Sequence, residues 1–407
     1  MMILTTLANP SLAENKIAEI VGNPQVTKNK VTVRIKVKTK DDRPIMGLQD
    51  TDFKLTVDKK EITFKSQDWK SPEETTPPPA YILVLLDMSG SMNQRDSRGS
   101  KKITGAIRAI RKFTEISSER GGKTHISIVP FGETSSRCRQ GYPINKNTLD
   151  NFLLASDFKL QNYLEYLDSL RPCASTNLYE PLTKAIRFLG NTNDTRFYLP
   201  EDSPEPKPRL SIILLSDGYH NKPNEARDFN TLKTLLQRNN NITVHTLGYG
   251  LTQAQLGNKY KLGRPATRAD IGTGENKVPA EEFVEDDKLA EIAKITGGIG
   301  EFSPDAESVS ESLQLFLNAL LGEYEITYTE PNPERGSQHF VQVEVNSPDG
   351  TQVKSKPKSY RIGVFGWPLP LGIRLIMFLL VLVMMSFGGI LPFYYWGKHL
   401  KEDALRD

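Results

Sequence analysis

Cysteine is almost missing from this chain of 407 residues: only Cys138 and Cys173 occur, with five scattered histidines. Two thiols cannot build a disulfide scaffold. No Cys-x-x-Cys or His-x-x-x-His pair is present, which argues against a zinc or other transition-metal centre of nitrogen and sulfur ligands. Charge of one sign is also missing: 52 Lys and Arg against 49 Asp and Glu leave a formal charge of +3, with no basic block, so nucleic acid is not implied. Hydrophobic content of 38% and charged content of 25% describe an ordinary globular chain, long enough for about two to three domains.

One long apolar run stands out. Leu375–Gly397 carries no charge and exceeds the ~20 residues a helix needs to cross a bilayer. Aromatic residues flank it, with Phe365 and Trp367 before and Tyr394, Tyr395 and Trp396 at its end. A buried core helix is the plainer reading, but such helices rarely run so long without a polar face. The expectation is a single span over 365–397 in contact with the lipid bilayer, and a short tail over 398–407. Lys358, Arg361 and Arg374 before the span nearly balance Lys398, Lys401 and Arg406 after it, so charge alone does not orient it. At the start, Ser11-Leu12-Ala13 has the small-x-small form of a signal cleavage site, but no basic segment precedes it. Two readings stand. Either 1–16 is a truncated signal peptide, with the bulk extracytoplasmic and the tail in the cytoplasm, or the chain is tail-anchored with its bulk in the cytosol. The first is the working expectation.

Residues 17–70 read as β-structure, because Val31, Val33, Ile35 and Val37 alternate with Arg34, Lys36 and Lys38. Residues 71–80, containing SPEETTPPP, form a stiff linker. From 81 to 321 strands alternate with helices. The apolar run at Tyr81–Leu86 and the strand-like runs at His125–Val129, Leu210–Leu215 and Ile242–Leu247 predict strands. Helical spacing appears around Ile103–Phe113, Pro181–Leu189 and Lys288–Thr296. The fold class this predicts is α/β, a doubly wound and mostly parallel sheet. Asn191–Pro208 and Leu251–Ala280 read as surface loops. Residues 322–364 return to alternation, around Tyr324, Ile326, Tyr328 and Phe340–Val345. Neither β segment makes a comfortable sandwich alone. The two are expected to pair into one small β-sandwich with the α/β domain inserted between them.

The strand Tyr81–Leu86 runs into Asp87, Ser89 and Ser91. A buried strand of a parallel sheet delivers such a turn to the carboxyl edge, where ligands bind. Ser175-Thr176-Asn177 precedes a helix and offers a further hydroxyl. Ser216-Asp217-Gly218 follows the strand Leu210–Leu215 and offers a second carboxylate. These are oxygen donors only, the set preferred by a hard divalent cation such as Mg²⁺, with Mn²⁺ or Ca²⁺ as alternatives. Three polar turns at strand ends are more than chance loop composition explains.

With these residues in place the sequence resembles the von Willebrand factor A (vWA) family. Its Asp-x-Ser-x-Ser motif stands here as Asp87-Met88-Ser89-Gly90-Ser91, its separate threonine as Thr176 and its last aspartate as Asp217. The resemblance covers about 240 residues. It implies a metal-ion-dependent adhesion site in which Ser89 and Ser91 bind the cation through their hydroxyls and Thr176 joins directly or through water. Asp87 and Asp217 would act mostly through water while holding the serines. The sixth position would go to an Asp or Glu of a protein partner. The flanks resemble bacterial membrane-anchored vWA-related proteins through Arg43–Leu48 and Asp52-Phe53, a looser match. The alternative role such proteins suggest is an assembly or chaperone-linked component acting with an AAA-type ATPase or a membrane complex.

Catalysis is not expected. A phosphatase of the dehalogenase type needs an acid where Ser89 stands, and Ser91 lacks the Gly-x-Ser-x-Gly elbow of a serine hydrolase. His220 reads as a loop histidine, and His125 and His245 as satisfied residues of strands. Cys138 and Cys173 both fall in loops near the metal edge. In an oxidising compartment they could bond and fix the Thr176 loop; the plain alternative is two free thiols.

Overall fold

The computed structural model describes residues 16–363 and 371–405, apart from 28, 76, 121, 137, 140, 201, 202, 204, 348 and 404. The expected signal peptide and the first part of the expected span therefore fall, but for Lys16 and Leu371 onward, outside the described residues.

Alternation sets the first strands. In β1 (Lys16–Thr27) and β2 (Lys30–Thr39) one face is buried, and Val31, Val33, Ile35 and Val37 are its centre. β3 (Phe53–Val57) turns into β4 (Lys60–Ile62) across Asp58 and Lys59, whose φ of 47° and 67° are those of a two-residue hairpin turn. β5 (Trp69–Lys70) follows.

The next six strands are β6 (Ala80–Asp87), β7 (Thr124–Phe131), β8 (Leu153–Leu154), β9 (Arg209–Ser216), β10 (Ile242–Gly248) and β11 (Gly300–Phe302). They form one sheet in the order β11-β10-β9-β6-β7-β8, parallel except for the β7–β8 pair. Helices cover both faces, as the continuous apolar runs demand. Ile82, Val84 and Leu86 pack with α1 (Lys102–Glu119), α3 (Phe158–Ser169) and α8 (Ala306–Leu321). Leu83 and Leu85 pack with α4 (Tyr179–Leu189), α5 (Glu225–Arg238) and α7 (Asp286–Ile295). A one-turn helix, α2 (Lys146–Leu149), lies between β7 and β8.

Between β6 and β9 the strand order reverses. The chain leaves β6 toward β7 on one side and returns to β9 on the other, so the loops after these two neighbours diverge and open a crevice.

The stretch 251–280, expected as loop, contains α6 (Gln253–Lys259). A capping box between Thr252 and Gln255 starts it, and Leu256, Ala266, Val278 and Phe283 form a small core there. Local capping and four apolar residues supply order that the polar composition hides.

β12 (Tyr324–Thr329), β13 (Gln338–Asn346), β14 (Gln352–Lys354) and β15 (Lys358–Arg361) complete the strands. β12 pairs with β2 and β13 with β3, in the sheets β1-β2-β12-β5 and β14-β13-β3-β4, with β15 on β13. Ile35, Leu55, Ile326 and Val343 sit in the one apolar core these sheets share.

The C-terminal helix runs as α9 (Leu371–Met385), a π-helical turn (Ser386–Ile390) at Gly388-Gly389, and α10 (Leu391–Asp403). Over Leu375–Glu402 it is long and apolar enough to cross a membrane. It continues past Gly397, the expected end of the span, where Lys398, Leu400, Lys401 and Glu402 are good helix formers.

Candidate metal centre

β6 carries its apolar run to Asp87, the last residue of the strand. Met88 turns back into the core, fully buried, and Ser89 opens the tight turn Gly90–Asn93 that holds Ser91. Leu86 pairs with Leu215 on β9, so the next residues, Asp87 and Ser216, end neighbouring strands at the reversal point. Asp217 follows immediately.

Four of the five sequence-picked residues meet there. Ser89 and Ser91 place their hydroxyls 3.0 Å apart. Ser91 Oγ donates to Asp217 Oδ1 at 2.7 Å and Ser89 Oγ at 3.4 Å. Asp87 Oδ1 accepts from the Ser89 amide at 2.8 Å, and Asp87 Oδ2 accepts from the hydroxyl of Ser216. Both carboxylates are fully buried. Asp87 therefore shapes the turn through its backbone, whereas Asp217 holds the serine hydroxyls directly.

The fifth residue, Thr176, is placed differently. Its hydroxyl lies beside Gly218, where a methyl group on the glycine would come within 3.1 Å of it. The backbone carries it to the site: Cys173 and Ala174 both donate to the Met88 carbonyl at 3.0 Å, and the Gly90 amide donates to the Ala174 carbonyl at 3.1 Å. Cys138 and Cys173 are joined by a disulfide that ties the loop after β7 to this same segment. The Ser135 hydroxyl adds a bond to the Cys173 carbonyl at 2.9 Å.

Two further residues complete the arrangement: Ser216, which the sequence marks only as the lead-in to Asp217, and Lys102, which it does not mark. Ser216 braces Asp87, and its only signal for that role is its place as the inward last residue of a strand. Lys102, the first residue of α1, is buried and donates from Nζ to Asp217 Oδ2 at 2.7 Å. A lysine at a helix start ordinarily reads as solvated, so nothing in the pattern marked it.

Electrostatically the site holds two buried carboxylates and one buried cation. Burial first, and then the Asp217 carboxylate, push Asp87 up to about 7, while the bonds from Ser216 and Ser89 oppose the rise. Among the described residues no group of three or more His, Cys, Asp or Glu side chains gathers as a metal site. The cluster is built from hydroxyls and two acids instead. That all-oxygen donor set fits a hard divalent cation and does not fit a soft one.

The histidines lie elsewhere in role. His220 is buried and stacks on Tyr179 at 4.0 Å. His245 is buried in β10, stacks on Phe316, and accepts the Ile299 amide on Nδ1 at 3.1 Å. His125 stacks on Tyr81.

No family model matches the chain. It is 28% identical to the uncharacterized protein YwmC of Bacillus subtilis over 198 residues, which is 48% of this chain and 75% of that protein. It is 23% identical to human inter-alpha-trypsin inhibitor heavy chain H2 over 148 residues, 36% of this chain and 13% of the human protein. Among solved structures it is similar to the pilus adhesin SpaC of Lactobacillus rhamnosus GG (TM-score 0.37, 11% identity, 86% of this chain and 49% of that one). It is also similar to proximal thread matrix protein 1 of the mussel byssus, with a zinc-occupied MIDAS motif (TM-score 0.31, 15% identity, 60% of this chain and 48% of that one). The chain thus spans about half of the solved structures it matches and a small part of the human heavy chain.

Proposed function

We propose that this chain is a membrane-anchored vWA-type module that captures a protein ligand through a divalent cation. The cation would be held by Ser89, Ser91 and Thr176 and supported by Asp87 and Asp217, with an Asp or Glu of the partner completing the coordination. The observation that carries this reading is the meeting of Ser89, Ser91 and Asp217 within hydrogen-bond reach at the sheet's reversal point.

The chain's own groups divide the work. Asp87 fixes the turn by accepting the Ser89 amide, Asp217 orients the two serine hydroxyls, and the disulfide-tied loop brings Thr176 alongside. A hard cation bound there supplies Lewis-acid attraction for a carboxylate oxygen. The few direct carboxylates leave that attraction for the partner. Mg²⁺ suits the oxygen set, with Mn²⁺ and Ca²⁺ as further candidates. The reading is one of binding, not turnover. In it, residues 81–321 form the module, inserted in a β-sandwich of 17–70 and 322–364. The C-terminal helix anchors it to the bilayer, with the module outside the cytoplasm.

The test is Mg²⁺-dependent thermal stability of the detergent-solubilised full chain, with Ser89→Ala/Ser91→Ala as comparison. A ligand of the folded state at 100 times its Kd adds about 2.7 kcal/mol, so a clear rise in Tm is expected in the native chain and none in the double variant. Equal responses in both would refute the site.

A further inference from the structure

Lys102 breaks two rules at once. It is the first residue of α1, where the helix dipole disfavours a cation, and its ammonium is buried rather than solvated. A buried charge persists only with a partner, and the partner here is Asp217 Oδ2 at 2.7 Å. Violations of local preference in an otherwise consistent chain concentrate at functional positions. The helix itself does not need this lysine, since the Lys102 backbone amide is satisfied by the Gln94 carbonyl at 2.9 Å.

The division of the Asp217 carboxylate is the telling detail. Oδ1 serves the two serine hydroxyls and Oδ2 serves Lys102. Asp87 is likewise occupied on both oxygens, by Ser89 and Ser216. All four carboxylate oxygens are thus engaged by the protein, and of the two serines Ser89 is buried while Ser91 is half-buried.

Building on the metal-binding reading above, we propose that Lys102 is a positioning residue for the metal centre. It would keep one oxygen of Asp217 from a bound cation and offsets the charge of that carboxylate. The site then binds a divalent cation less tightly than two free carboxylates would, and the cation retains charge for an incoming acid. Lys102 is in this sense a built-in counter-ion that trades metal affinity for partner affinity.

The experiment compares Mg²⁺ binding by calorimetry in the full chain and in Lys102→Met, Lys102→Gln and Lys102→Arg, together with the Tm of each in chelator and in saturating Mg²⁺. Removing the positive charge should tighten Mg²⁺ on the order of tenfold in the Met and Gln variants. It should also lower the metal-free Tm and enlarge the Mg²⁺-induced rise. Lys102→Arg keeps the charge and should restore both values. The Gln variant can still donate to Asp217, so it separates loss of charge from loss of a brace. Mg²⁺ affinity that is unchanged or weaker in both neutral variants overturns the inference while leaving the metal site standing. No Mg²⁺ binding in the native chain overturns the metal reading and this inference with it.

Discussion

The carbonyl of Met88 accepts two hydrogen bonds from one short segment, from the amides of Cys173 and Ala174, each at 3.0 Å. The turn that carries Ser89 is thereby bonded to the loop that carries Thr176. The disulfide at Cys173 ties that loop in turn to Cys138.

Opening this bond should matter at two levels. The bridge closes a sequence separation of 35, so replacing both cysteines by serine is expected to cost about 2–4 kcal/mol of stability in denaturant unfolding. It should also weaken Mg²⁺ several-fold, because the Thr176 loop loses its tether. Unaltered Mg²⁺ affinity in the Ser/Ser variant would show that the loop is held without it.

Ser216 should behave as part of the site although the sequence gives it no ligand role. Ser216→Ala leaves a fully buried Asp87 short of one donor, which typically costs about 1–3 kcal/mol. Combined with Asp87→Asn, the losses should fall short of additive by about 1 kcal/mol or more in a double-mutant cycle. Strict additivity would mean the two side chains do not depend on each other.

His245 sets a pH dependence remote from the site. Burial, and secondarily the Lys36 charge, lower its pKa from 6.5 to about 3. The folded state therefore resists a proton that the unfolded chain accepts. Its stabilising effect is complete above pH 6.5 and shrinks as pH falls toward 3, by about 2 kcal/mol at pH 5. His245→Asn keeps an acceptor for the Ile299 amide and removes the titration. Its stability loss between pH 8 and pH 5, read from urea unfolding, should be smaller than that of the native chain by about this amount.

The C-terminal helix supplies a fourth expectation. A chain lacking residues 371–403 should move from the membrane pellet to the supernatant on fractionation, and protease should reach 81–321 in intact cells before they are opened. Recovery of the shortened chain in the pellet would assign membrane association to another surface.

Much of this architecture was readable, and the gaps have physical causes. The continuous apolar run announced β6 most clearly, and the strand-like runs of β9 and β10 were legible even with Ser211, Thr243, His245 and Thr246 among them. Asp87 and Asp217 were visible as acids placed straight after such runs. β8 was not, since its two residues, Leu153 and Leu154, carry no periodicity. α5 was missed because only Phe229, Leu232 and Leu236 are buried in its fourteen residues. Lys102, and the bracing role of Ser216, escaped for a different reason. Their importance lies in contacts made across more than a hundred residues of sequence, and a helix-start lysine or strand-end serine looks ordinary until the fold supplies the neighbour.

The strand that ends at Asp87 also has a mechanical meaning. β6 lies at the middle of its sheet, paired along its length with β7 on one side and β9 on the other. Its first residue follows the 71–79 connection to the flanking sheets, and its last leads into the Ser89–Ser91 turn. A partner tugging on that turn, with the 71–79 connection held fast, loads β6 lengthwise, so the covalent backbone of one already extended strand carries the tension and the ladders on either side are not pulled apart.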